Sequence, residues 1–392
     1  MKGKQQLLFT EGILDRDRFE EALTRLYEAI RTDSMLFKTV QIETHAPQRV
    51  FTPGSSAFKS RFLDEHHKRN RLSFGQSSFI EEESTPTFRV LDKDSQEFRL
   101  WLFLTTLTDR REKSWDVYYS HCLIYQDHPW LYQREVLKVS GEEIYEVLNE
   151  KVSHKNNKQL KMKYKIGSPR DSSKYWPQCA RTIFEEFDGD PVNMFRHAGW
   201  SVRGVIDWKK KILKQRGYDP IPGFGPKLVS LYFLYLGELG FLPLPIDVFA
   251  ADIQAQSIAY QVGALRFQGK ESIGAPQLAE RIRIIASDIV DRFGWDTLLL
   301  AHSTYFLGNR LCGVCYKTPD AKTQCPVYDM CSGRVDTSSY ASAGVWRKNA
   351  RRMKRGGDVR EFGVLHAVPL MREKRGRENP LDSQGHLFLK PL

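Results

Sequence analysis

The chain has 392 residues, 41% hydrophobic and 27% charged, which describes a globular protein long enough for one large domain or two to three ordinary ones. A mean hydropathy of -0.48 argues against an integral membrane protein. The most apolar stretch, Leu228 to Ile246, is broken by Gly237, Gly240, Pro243 and Pro245, and the first residues lack a signal-peptide core, so an intracellular protein is expected. Lys and Arg outnumber Asp and Glu by 59 to 48, a net charge of +11, and such a surplus favours a polyanionic partner, most often nucleic acid.

Residues 1–94 read as an N-terminal extension of unknown role. Within it, Asp15 to Arg31 carries Phe19, Leu23, Leu26, Tyr27 and Ile30 at helical spacing. Thr44 to Pro86, rich in Ser, Pro, His and charge, reads as loops with short strands. Asp94-Ser-Gln-Glu97 has the pattern of a capping box opening the apolar run Phe98 to Leu107, a buried helix. Trp115, Tyr118, Tyr119 and Leu123 continue at helical spacing, and the Lys-rich residues 150–170 read as a loop. A helix begins near Ser172 with an apolar stripe through Trp176, Cys179, Ile183 and Phe187, and ends at Gly189 and Pro191. Cys179 on that stripe reads as a small buried hydrophobe.

Val205 to Gln215 is the next helix, ended by Gly217, and another runs from about Pro226 to Leu239. After a break at Gly240 to Pro245, helices are expected over Val248–Tyr260, Ala275–Phe293 and Trp295–Leu307. Residues 334–392 form a tail whose block of Arg347, Lys348, Arg351, Arg352, Lys354, Arg355 and Arg360 reads equally as a solvated segment or as a DNA contact. The body is therefore mostly α.

Three constellations carry chemistry. Ile221-Pro-Gly-Phe-Gly-Pro-Lys227 joins two helices. Gly223 and Gly225 let the backbone turn tightly, and amides at the start of the following helix can hold a phosphate oxygen without reading sequence. Such a turn is by itself often only a turn. The second constellation is Lys227 with Asp247, which a helix and a short return can bring to one cleft. A carboxylate can stabilise the positive charge that develops on a sugar as its glycosidic bond breaks, and a deprotonated lysine can attack the anomeric carbon to form a Schiff base. The plainer alternatives are a phosphate-binding Lys227 and a helix-capping Asp247.

Pro222-Gly-Phe-Gly-Pro-Lys227 followed by Pro245-Ile-Asp247 resembles the signature of the helix-hairpin-helix (HhH-GPD) DNA glycosylases. The resemblance covers roughly residues 95–333. It implies a two-lobed helical fold, with a helical barrel carrying the hairpin over 95–246 and a second lobe over 247–333. It also implies a hairpin that grips the DNA backbone through Gly223, Gly225 and Lys227. Lys227 is then the Schiff-base nucleophile and Asp247 the catalytic carboxylate. Leu104-Thr-Thr-Leu-Thr-Asp109 is similar to the end of the first barrel helix, which puts Thr106 near a DNA-facing position. Phe249 stands where relatives often carry His.

The third constellation is C-x2-C-x9-C-x5-C, formed by Cys312, Cys315, Cys325 and Cys331. Four clustered thiols suit an iron–sulfur cluster or a tetrahedral zinc. The last interval matches the cluster loop of endonuclease-III-like glycosylases and the first two do not; a 4Fe–4S cluster is favoured over zinc. The expected function is excision of a damaged or modified base from double-stranded DNA by a monomeric enzyme with AP lyase activity. Oxidised pyrimidines are the family-based guess, and the N-terminal addition also admits a bulky modified base, as in virus DNA. The rivals are a monofunctional glycosylase using water and a non-catalytic helix-hairpin-helix DNA-binding protein.

Overall fold

The computed structural model describes residues 14–32, 51–71, 87–109, 114–154, 157–241, 243–265, 276–308 and 325–331. They are predominantly helical. In chain order the α-helices are α1 (Arg16–Arg31), α2 (Ser56–Arg71), α3 (Gln96–Thr108), α4 (Ser114–Asp127), α5 (Gly141–Leu148), α6 (Pro169–Glu186), α7 (Pro191–His197), α8 (Val202–Arg216), α9 (Pro226–Glu238), α10 (Ile253–Gln261), α11 (Pro276–Phe293) and α12 (Thr297–Phe306). Short 3-10 turns cover Pro129–Tyr132, Arg134–Lys138 and Ile246–Val248. No helix among the described residues is long and apolar enough to cross a membrane.

The chain divides into two compact units, one of Met1–Ile42 with Pro243–Leu392, the other of Glu43–Leu242. The division differs from the expected one. Residues 1–94 do not act as one extension, because α1 and α2 belong to different units. The reason is the apolar stripe of α1. Phe19, Leu23 and Leu26 are fully buried and share one core with Phe249, Ile258, Ile282, Ile289 and Leu300. Tyr27 adds a stacked contact with Trp295, ring centroids 4.6 Å apart. Burying each such side chain is worth about 1.5–3 kcal/mol, so the helix is part of this unit's core. The second boundary falls at Pro243 rather than after Ile246.

The other unit is rich in aromatic contacts. Phe103 of α3 stacks on Phe224, with centroids 4.2 Å apart, and meets the edge of Tyr232 from α9. Phe58 and Phe62 of α2 pack against Phe88, and Phe58 also meets Tyr119 of α4, while Arg61 lies over the Tyr119 ring and pairs with Asp116. The cap of α3 is Ser95, one residue later than the expected Asp94; its hydroxyl accepts from the Phe98 amide (3.0 Å) and donates to Asp92 O (2.6 Å). Glu97 instead accepts from Tyr125 and Gln133. The Lys-rich stretch expected as a loop contains an antiparallel hairpin, β1 (Lys151–His154) and β2 (Asn157–Met162), with Lys151 opposite Met162. Its composition hid a period-two alternation, Leu160-Lys-Met-Lys-Tyr164.

A buried polar network ties α3 to α4. Thr108 donates its hydroxyl to Thr105 O (2.9 Å), so it accepts from His121 Nε2–H (2.6 Å), which leaves His121 Nδ1 to accept from the Tyr132 hydroxyl (2.6 Å). Burial pushes the pKa of His121 down from 6.5 to about 3. The unfolded chain therefore binds a proton that the folded chain refuses. This part of the stability is complete above pH 6.5 and is lost as pH falls toward 3. Urea midpoints are expected to fall steeply across that window, and His121→Gln to fall less steeply, though it starts lower. Equal slopes would remove His121 as the cause.

Candidate functional site

The hairpin between α8 and α9 is built by backbone constraints. Gly217 ends α8 at φ +77, a left-handed cap whose amide donates to Leu213 O (3.0 Å). Pro222 and Gly223 then occupy the central positions of a β-turn closed by Phe224 N to Ile221 O (3.2 Å). Gly223 has φ +86, so only glycine fits there without strain. Phe224 is buried and anchors the turn on Phe103.

The loop carbonyls are held inward. Pro220 O accepts from Thr182 Oγ1 (2.6 Å), and Pro222 O from Cys179 Sγ (3.5 Å). The Lys209 ammonium, on a side chain only 12% exposed, donates to Ile221 O (3.0 Å) and Phe224 O and pairs with Asp219 (3.3 Å). The outward side is different. Gly225 has φ -89, which any residue adopts, and a Cβ there would meet nothing within 4 Å among the described residues. Nothing among the described residues requires glycine at 225, whereas a ligand backbone pressed against it would. Pro226 has no amide, and the amides of Lys227 and Leu228 find no acceptor among the described residues, at the positive end of α9. Lys227 is exposed.

Lys209 was missed in the sequence, where it reads as one of several lysines on α8. Lys209→Met would strip a charged donor from two carbonyls and a carboxylate. The expected cost is about 2–3 kcal/mol of stability, as the loop loosens. Thermal melts would detect the loss, and an unchanged midpoint would contradict this role.

Asp247 lies in the other unit. It does not start an α-helix. It sits within the 3-10 turn at φ -85, ψ 21, and the cap of α10 is Asp252, whose Oδ1 accepts from the amides of Gln254 (2.9 Å) and Ala255 (3.0 Å). The capping alternative for Asp247 is thereby removed. Asp247 instead faces Arg283 of α11, whose Nη1 donates to Asp247 O (2.9 Å) and Oδ2 (3.3 Å). The Asp247 side chain is 22% exposed and that of Arg283 only 5%. Glu280 accepts from the other side of the guanidinium, Nε to Oε2 at 2.9 Å and Nη2 to Oε1 at 2.5 Å. Burial opposes the Arg283 charge, but Glu280 and then Asp247 outweigh it and raise its pKa above the ordinary value. A signal for Arg283 existed: it stands on the same line of α11 as Ala286 and Val290, both buried, so periodicity placed a charge inside.

Phe249 is fully buried in the core around α1, so this position serves packing. Thr106 is also fully buried, and its hydroxyl donates to Leu102 O (2.8 Å); it presents no group at the surface. Cys325 and Cys331 are half-buried and bracket one turn, closed by Tyr328 N to Cys325 O (3.2 Å) and Cys331 N to Tyr328 O (3.3 Å). Val327 and Met330 of that turn enter the core, and α1 grips it: Arg18 Nη2 donates to Met330 O (3.1 Å) and Arg25 pairs with both oxygens of Asp329 (2.6 and 2.8 Å). Cys312, Cys315 and the basic tail lie outside the described residues. Among the described residues no group of three metal-binding side chains occurs.

No protein-family model matches the chain, and neither a curated protein nor a solved structure shows significant similarity to it.

Proposed function

We propose that the protein is a DNA glycosylase that excises a damaged or modified base from duplex DNA and then cuts the abasic strand through Lys227. The observation that carries this reading is the hairpin: its carbonyls are tied inward, while the open face over Gly225 and the unused amides of α9 point to a phosphate. Arg203, Lys210, Lys211 and Lys214 are exposed along α8 of the same hairpin and supply a basic track for the backbone.

In this mechanism the target nucleotide leaves the stack. Asp247 stabilises the oxocarbenium-like sugar as the base departs with the glycosidic electron pair. For strand cutting, the Lys227 amine adds to the anomeric carbon and loses a proton, and the ring C–O bond opens to give a protonated imine. Loss of a proton from the adjacent carbon then expels the 3′ phosphate by β-elimination, and water hydrolyses the imine to free Lys227. A second reading is favoured by the exposure of Lys227: the ammonium grips a phosphate and water attacks the sugar, which makes a monofunctional enzyme.

Cys312, Cys315, Cys325 and Cys331 are proposed as ligands of a 4Fe–4S cluster, with zinc as the alternative. The half-buried Cys325 and Cys331, on a turn already packed into the core, fit as two of four thiolate donors. Such a group would close the loop, and metal analysis separates iron from zinc. The function itself is tested by incubating the protein with duplexes bearing a panel of lesions and modified bases. Mass spectrometry is expected to find a free base from at least one; release from none of them would refute the reading.

A further inference from the structure

We propose that Arg283 is the positioning residue of the reaction, and that Glu280 is its neutralising partner. The inference rests on the glycosylase reading and on Asp247 as its carboxylate.

One nitrogen, Arg283 Nη1, binds both the main-chain oxygen and the carboxylate oxygen Oδ2 of the same residue, Asp247. That pair of bonds fixes the direction of the carboxylate relative to its own backbone. The constraint matters because Asp247 sits in a one-turn 3-10 segment with non-helical dihedrals, where helical packing does not orient the side chain. The guanidinium itself cannot drift: it is 5% exposed, and α11 delivers it on the buried line of its helix.

A guanidinium this close would ordinarily cancel the charge that Asp247 must direct at a sugar cation. Glu280 removes that conflict. It occupies two other nitrogens, Nε at 2.9 Å and Nη2, as a bidentate partner on the same helix. Arg283 and Glu280 together are formally neutral, so Asp247 keeps its unit of negative charge while Nη1 holds its orientation. The three residues form a triad in which only Asp247 meets the substrate. A lysine cannot replace the arginine, since it lacks the fork that serves both carboxylates at fixed angles.

The test uses the full-length protein on a duplex from which the parent releases base. Arg283→Lys retains the charge and is expected to slow single-turnover base release about 100-fold, the scale on which small misplacements of a reacting group act. Duplex affinity is expected to stay within about twofold, because no phosphate contact is lost. Glu280→Gln retains shape and leaves the guanidinium unneutralised; release is expected to slow about tenfold at unchanged affinity. A purely structural role would instead lower the melting temperature and leave the rate of the folded protein at the parental value. Should Arg283→Lys fail to fold, Glu280→Gln decides alone, and a parental rate there overturns the proposal. Asp247→Asn in the same assay separates the two levels of inference. A slow Asp247→Asn beside parental Arg283→Lys and Glu280→Gln rates overturns only the positioning role. A fully active Asp247→Asn overturns the reading beneath it as well.

Discussion

Asp247→Asn is expected to abolish base release while duplex binding survives. The substitution preserves size and removes the negative charge. Asp247 is 22% exposed, held by Arg283 and relieved of any capping duty by Asp252, so neither the helix start nor the hairpin depends on that charge. Removing a preorganised electrostatic group typically costs about 3–4 kcal/mol in the transition state, or 100- to 1,000-fold in rate. The loss is expected in the single-turnover rate, with affinity for undamaged duplex within about twofold of the parent. One secondary effect follows from the geometry: Arg283 would keep Glu280 and lose an anionic partner, so a modest drop in melting temperature accompanies the loss of rate. Full activity in the purified variant would end the mechanism.

Lys227→Ala carries the second large effect. In the parent, borohydride is expected to reduce the imine between Lys227 and the sugar, leaving a covalent protein–DNA adduct. The alanine variant is expected to give no adduct and no strand cutting, and to retain slow base release where water reaches the sugar. If Lys227 serves only as a phosphate contact at the head of α9, the parent yields no adduct. The substitution then weakens binding and flattens the dependence of log affinity on log salt by about one unit. Gel mobility after borohydride, with and without the substitution, decides between these outcomes.

What the sequence revealed follows from the range of the physics involved. Helices with strong local periodicity were legible: α6, α8, α9 and α11 lie close to their expected spans because each carries its own stripe and stop signals. The turn of the hairpin was legible too, since Pro222 and Gly223 suit only a few backbone geometries. The β1–β2 hairpin escaped because lysines filled its alternate positions. The place of α1 could not be read, because its stripe does not say which distant helices it will meet; its partners in α10, α11 and α12 begin more than two hundred residues later. The partners of the candidate carboxylate were hidden for the same reason. Arg283 is 36 residues from Asp247 and is linked to it only through tertiary packing. Local spacing points to Asp247 as the opening of a helix, whereas the cap, Asp252, lies five residues on, where the helix begins.

The central claim is cleavage of a glycosidic bond, and the most direct measurement counts both of its products. A duplex with one labelled modified base, cut by the parent protein under single-turnover conditions, is analysed for free base by mass spectrometry and for abasic or cleaved strand by gel. The account predicts equal amounts of free base and abasic-derived strand at every time point. Strand cleavage without free base, or binding with neither product across the whole panel of modified bases, would contradict it.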